Sequence, residues 1–181
     1  MTKNDNEEER DWYLLLLFTI GIIILSPIII IFALIILVPW LRARFVIRPR
    51  LLRRVRKEWL PKNRFILFVY SDNQLWKEYA KKNIIPKIAS HALMLNWSER
   101  KDWIHSDSLE AQLFKNFYWG REYIWRNKIR MGGQGYNHLA IVFKPWDRPN
   151  IITFWPAFKD YEFGKHETMR QREKELYSYL D

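Results

Sequence analysis

From Tyr13 to Leu41 the chain carries no charged residue, and most of the stretch is Leu and Ile. Such a run has few places to go. About 20 apolar residues cross a hydrocarbon core about 30 Å thick. A helix over 13–41 would run about 43 Å at roughly 1.5 Å per residue. Tilt, or ends lying among the headgroups, takes up the excess. Inside lipid the backbone must satisfy its own hydrogen bonds, so a lone span is helical whatever the propensity of Ile in water. Gly21, Ser26 and Pro27 predict a bend near its middle. Trp12, Tyr13 and Trp40 stand where interfacial aromatic belts stand. A chain of 181 residues cannot wrap so long an all-round apolar rod in a soluble core. A cleaved leader fits poorly, because acids precede the run, it is too long and no A-x-A-like site comes after it. A re-entrant hairpin at Ser26-Pro27 would have arms too short to cross.

The flanks orient the span. Asp5, Glu7, Glu8, Glu9 and Asp11 precede it, against Lys3 and Arg10. Arg42, Arg44, Arg48, Arg50, Arg53, Arg54, Arg56 and Lys57 come after it, with no acid among them. Lys and Arg stay on the cytoplasmic side. The expectation is a single-pass protein of the cell inner membrane, N-terminus outside and C-terminal domain in the cytoplasm. The expected divisions are an acidic tail 1–12, a span 13–41, a polybasic segment 42–61 and a folded domain 62–181.

The net charge is +10, which would ordinarily raise nucleic acid as a partner. Here most of the excess sits beside the span. Anionic lipid is the simpler partner, at about 1 kcal/mol per basic residue near the surface. Within this segment Leu51, Leu52, Val55 and Trp59 share one helical face, with Arg and Lys on the other. Bounded by Pro49 and Pro61, it predicts a separate amphipathic helix lying in the interface. The basic residues from Arg42 to Lys57, with Trp59, are the membrane-surface candidates. Continuation of the span, or packing on the domain, is the competing use of the same stripe.

The chain has no cysteine. Disulfides, thiol catalysis and thiolate-bound metal are excluded. Residues 64–71 read as a strand buried on both faces. Ser71 with Gln74 reads as a capping box opening a helix to about Ile85, where Pro86 disturbs it. Residues 92–97 read as a second strand, with Ser98 capping the next helix. A helix is predicted over 109–131, stopped by Gly132, Gly133 and Gly135. Strands over 138–144 and 151–155 form a hairpin. Pro156 makes the latter an edge strand or interrupts it. Gly164 marks a turn, and 166–180 predicts a final helix with Met169, Leu176, Tyr177 and Leu180 inward.

The predicted class is therefore α/β, with a mixed four-stranded sheet. The order β-α-β-α-β-β-α resembles the thioredoxin-like fold, over about residues 64–181 and in topology alone. That family opens its first helix with Cys-x-x-Cys, where this chain has Ser71-Asp72-Asn73-Gln74. It places a cis-proline before the third strand, where this chain has Tyr136-Asn137-His138. Both departures point away from redox chemistry. The chain also resembles uncharacterised bacterial membrane-anchored proteins, which implies no activity.

That resemblance sets Asp72, Asn73 and Trp76 opposite Asn137 and His138. These form the candidate site, with His138 as acid or base toward a small anionic or lipid-derived substrate. Their bland use is to complement a helix start and to pair locally. None of the four histidines has a ligand spacing such as H-E-x-x-H, so no metal is expected, and no cofactor motif stands out. Ser71, Ser98 and Ser106 lack a nucleophile elbow. Arg121, Arg126, Lys128 and Arg130, interleaved with Tyr123 and Trp125, suit a solvated helix face first, lipid second and nucleic acid third. Trp146, Arg148 and Trp155 are candidates for a protein contact. The expected function is a membrane-anchored, non-redox interaction or scaffolding module with a membrane-protein partner. An enzyme using His138, or an accessory subunit of a membrane complex, is the alternative.

Overall fold

The computed structural model describes residues 3–119, 138–144 and 148–180. The chain divides into two compact units, Met1–Val46 and Ile47–Asp181.

The first unit is helix α1, Lys3–Arg42. It begins well before the apolar stretch, and it is long and apolar enough to cross a membrane. Its apolar side chains are exposed all round, Leu15 at 66%, Ile29 at 65% and Ile36 at 67% among them. Pro27 lies inside it without ending it. A helical proline takes away the N–H that would bond the carbonyl four residues back. That carbonyl belongs to Ile23, and the Ser26 hydroxyl donates to it at 3.1 Å. Thr19 makes the same kind of bond to Leu15 at 2.7 Å. Both hydroxyls thus satisfy themselves within the helix, as they would have to in lipid.

The second unit is a mixed α/β domain. Its strands are β1 Ile66–Tyr70, β2 Ala92–Asn96, β3 Leu139–Val142 and β4 Asn150–Thr153. They stand in the order β2-β1-β3-β4. β1 and β2 are parallel, Ile66 opposite Ala92. β1 and β3 are antiparallel, as are β3 and β4, with Ile66 opposite Val142 and Ala140 opposite Ile152. β4 is an edge, and it ends before Pro156. That proline instead occupies the first turn of a helix, where a missing N–H costs nothing.

Alternation along the strands divides the core in two. Ile66, Phe68, Ala140, Val142 and Ile152 face one side. That side is covered by α3 Gln74–Tyr79, by α4 Ile85–Ile88, and by two later helices, Trp155–Glu162 and Glu167–Tyr177. Leu67, Val69, Leu139 and Ile141 face the other. α2 Arg48–Glu58, α5 Arg100–Trp103 and α6 Leu109–Phe114 lie on that side. The two later helices are α7 and α8. The predicted helix beyond 119 lies outside the described residues, with Arg121, Tyr123, Trp125, Arg126, Lys128, Arg130 and the glycines at 132, 133 and 135.

Pro49 and Pro86 fall at helix boundaries, as the sequence suggests. A wider π turn, Ala43–Ile47, precedes Pro49 in α2, and another, Ala80–Ile84, precedes Pro86 in α4. The wider turn relieves the contact between the proline ring and the carbonyl one turn back.

α2 corrects the expectation of an interfacial helix. Leu51 is 2% exposed, Val55 1% and Trp59 4%. Trp59 meets Phe143 edge to face at 5.7 Å. The apolar stripe lies on the sheet, so the folded unit starts at Ile47 and not at 62. A fragment 47–181 is accordingly expected to unfold cooperatively in denaturant. A fragment 62–181, missing the cover over Leu67 and Ile141, should bind hydrophobic dyes and aggregate. Leu51→Ala in the longer fragment should cost about 2–5 kcal/mol. Equal stability of the two fragments would refute this role for α2.

Candidate functional site

β1 ends at Tyr70 and α3 begins at Gln74. β3 begins at Leu139, directly after His138. Because β1 and β3 are neighbours, these two chain segments meet at one end of the sheet. Ser71 Oγ and His138 Nε2 lie 3.3 Å apart. The His138 ring packs on Trp76 at 4.2 Å and on Phe158 at 5.5 Å. All four are buried, His138 at 1% exposure and Trp76 at 0%. His138 holds φ at +74°, a left-handed conformation few side chains adopt. Its carbonyl accepts the Phe154 N–H at 2.9 Å, so the strain is fixed from two sides.

This placement bears on the acid–base reading of His138. A general base must reach a substrate proton. Here the ring is enclosed by Trp76, Phe158 and Ser71. Burial lowers its pKa to about 3, so it is neutral at physiological pH. Nδ1 of His138 and Nε1 of Trp76 are buried with no hydrogen-bond partner among the described residues. Such groups weaken a fold by about 1–3 kcal/mol each.

Ser71 is not the predicted cap. Asn73 caps α3, its side-chain oxygen accepting from the Trp76 N–H at 3.3 Å. Ser98 does not cap the next helix either. Its hydroxyl accepts from the Asp72 N–H at 2.9 Å, while Asn96 accepts from the Ser98 N–H at 3.0 Å. Asp72 is exposed and directed to other partners, Lys77 Nζ at 2.7 Å and the Asn96 amide at 3.0 Å. Those hydrogen bonds, Lys77 first and then Asn96, hold its carboxyl below the usual range. Asp72 and Asn73 therefore secure a loop and a helix start. Asn137 lies outside the described residues.

The basic segment divides between two tasks. Arg50, Arg53 and Lys57 are exposed on the side of α2 away from the sheet. Arg54 pairs with Glu58 at 2.9 Å. Arg48 donates to the Asn116 carbonyl at 3.0 Å and lies over the Phe117 ring at 5.6 Å, which fastens α2 to the domain. Arg56 is exposed, and so is Arg42 in the first unit. Arg44 covers the Trp40 ring at 5.6 Å. Of the contact candidates, Arg148 is exposed and Trp146 lies outside the described residues. Trp155 is half-buried, packed on Phe158 at 6.2 Å and beneath the Lys159 ammonium at 5.1 Å. Its ring is engaged by its own helix.

A cleft of about 480 Å³ opens elsewhere, between α3 with its π turn and the helices α7 and α8. Tyr79, Lys82, Tyr161, His166 and Arg170 help line it, and His138 does not. Its walls come from two stretches, 75–83 and 161–170, far apart in the chain, so no local pattern in the sequence marks it. Among the described residues no cluster of three potential metal ligands occurs. Comparison with family models, with curated proteins and with solved structures gives no match, so the chemistry of these residues has to speak for itself.

The enclosed His138 has a measurable consequence. Its pKa is near 3 folded, against an ordinary 6.5. Below about pH 6.5 the unfolded chain takes up a proton that the folded chain refuses, so its stabilising effect is complete above that pH and declines toward pH 3. The loss should reach a few kcal/mol. His138→Asn keeps a residue that tolerates positive φ and should flatten this part of the acid limb in urea titrations. An unchanged slope would place the ring in solvent.

Proposed function

We propose that the chain is a membrane-anchored adaptor. One span holds a thioredoxin-like domain without thiol chemistry at the cytoplasmic face of the inner membrane, where it binds a membrane-protein partner. The observation that carries this reading is the junction. In the chain the apolar helix is followed, after the π turn Ala43–Ile47, by a helix whose exposed side bears Arg50, Arg53 and Lys57, and whose apolar side is already docked on the sheet. Such a helix is drawn to anionic headgroups by charge alone.

The strand order β2-β1-β3-β4, with one parallel and two antiparallel pairs, supports the kinship in topology. In that fold the reactive cysteines open the first helix and face the residue before the third strand. Here Ser71 and His138 meet at that edge and are sealed by Trp76. A packed edge suits recognition better than turnover. Confinement of both partners to one surface raises their effective concentration, so modest affinity suffices.

Replacing Arg50, Arg53 and Lys57 by Gln should weaken binding of residues 47–181 to phosphatidylserine vesicles by about 1 kcal/mol per charge. Added salt should erase the difference between the proteins. Flotation assays in which the variant binds as well as the parent would discard the surface role. In right-side-out vesicles an external protease should spare the domain. Its digestion from outside would invert the proposed orientation.

A further inference from the structure

The cleft between α3 and helices α7 and α8 is built from aromatic and cationic groups. Tyr79 and Tyr161 meet edge to face at 4.7 Å, and Tyr161 meets His166 in the same way at 4.7 Å. The Tyr79 hydroxyl is committed to Glu173 at 2.7 Å, which leaves its ring as the wall. Asn83 is tied down as well. Its amide donates to the Tyr79 carbonyl at 3.2 Å, and its carbonyl accepts from Tyr177 at 3.0 Å. Leu75 is 47% exposed at the rim, apolar surface that no neighbour covers.

The charges are not similarly committed. Lys82, Arg170 and Glu78 line the cleft, and among the described residues none of the three makes an ion pair. Lys82 and Arg170 stand against Glu78 in the lining, while the nearby Glu173 carboxylate is engaged by the Tyr79 hydroxyl. A guanidinium held open in this way presents a fork matched to a carboxylate or phosphate. A volume of about 480 Å³ is of small-molecule size. Rings on the walls, the exposed Leu75 and two cations in the lining suit an occupant that is both flat and anionic.

We propose that the cleft bounded by Leu75, Tyr79, Lys82, Tyr161, His166 and Arg170 binds a small aromatic acid. The ring lies against Tyr79 and Tyr161, and the anionic group meets Lys82 and Arg170. This site is independent of the adaptor reading, because it uses neither the basic side of α2 nor the sealed edge at His138. Ligand binding would make the domain a sensor of such acids as well as a tether.

The test uses the full chain in nanodiscs of zwitterionic lipid, which removes the anionic surface. Phenyl phosphate and phenylacetate are titrated by calorimetry, beside neutral benzyl alcohol and inorganic phosphate. Saturable binding is expected for one or both aromatic acids, at least about tenfold tighter than for either control, since hydrogen bonds to charged groups are worth about that much. The tighter of the two acids identifies the anionic group. Arg170→Ala and Lys82→Ala, both at exposed positions, should each weaken it by about tenfold, while Lys101→Ala should not. The ring resonances of Tyr79 and Tyr161 should shift on saturation. Absence of saturable binding, equal binding of benzyl alcohol, or indifference to both cation variants would overturn the proposal. Vesicle binding by Arg50, Arg53 and Lys57 would stand in any of these cases.

Discussion

A sheet with apolar side chains on both faces has to be covered twice, and the domain depends on how the second cover is supplied. α3, α4, α7 and α8 close one face. The other is left to α5, α6 and α2, the helix that comes after the apolar segment in the chain. Leu51, Val55 and Trp59 do not merely rest on that face. With Leu113, Phe114 and Phe117 they bring Leu67, Val69, Leu139 and Ile141 to 1% exposure or less. At about 25 cal/mol per Å² of apolar surface, burying three such side chains is worth several kcal/mol. That is comparable to the net stability of a small domain.

The same packing decides what α2 can offer a bilayer. An interfacial helix gains most of its affinity by sinking an apolar face among acyl chains. α2 has given that face to the sheet, so the lipid attraction proposed for it can only be Coulombic and should fall with salt. The sequence could not separate these two uses. A stripe at positions 51, 55 and 59 has the helical period whatever it faces, and its neighbour in space, Phe143, is more than eighty positions away in the chain.

Much else was legible, for reasons that also explain the misses. The run Ile66–Tyr70 is apolar throughout because both its faces are covered, and such runs read as central strands. The hairpin of β3 and β4 was signalled by two short apolar segments around a proline-rich turn. The α/β class and the mixed four-stranded sheet came from that reading. Prolines marked boundaries. Pro49 opens α2, the helix around Pro86 is interrupted by a π turn, and β4 is an edge strand that ends before Pro156. That Pro156 starts α7 was not foreseen. Ser71 and Asn73 are both competent caps two positions apart. Local pattern favoured Ser71, and the distant His138 took it. The cleft residues gave no signal, because Tyr79, Tyr161 and Arg170 converge only through the packing of α3 on α7 and α8.

The division of the core also arranges the surface. The basic side of α2 and the helices around the cleft lie on opposite faces of one sheet. The two proposed surfaces share no residue, and between them lies the sheet, whose interior residues are packed to near-zero exposure. A core that dense transmits displacement only between discrete arrangements. The rings of Trp76 and His138, wedged between α3 and β3 with unpaired nitrogens, are where this core is held together least favourably. Trp76 belongs to the same helix as Tyr79, whose ring it parallels at 6.0 Å. Any shift of α3 would therefore bear on that wedge.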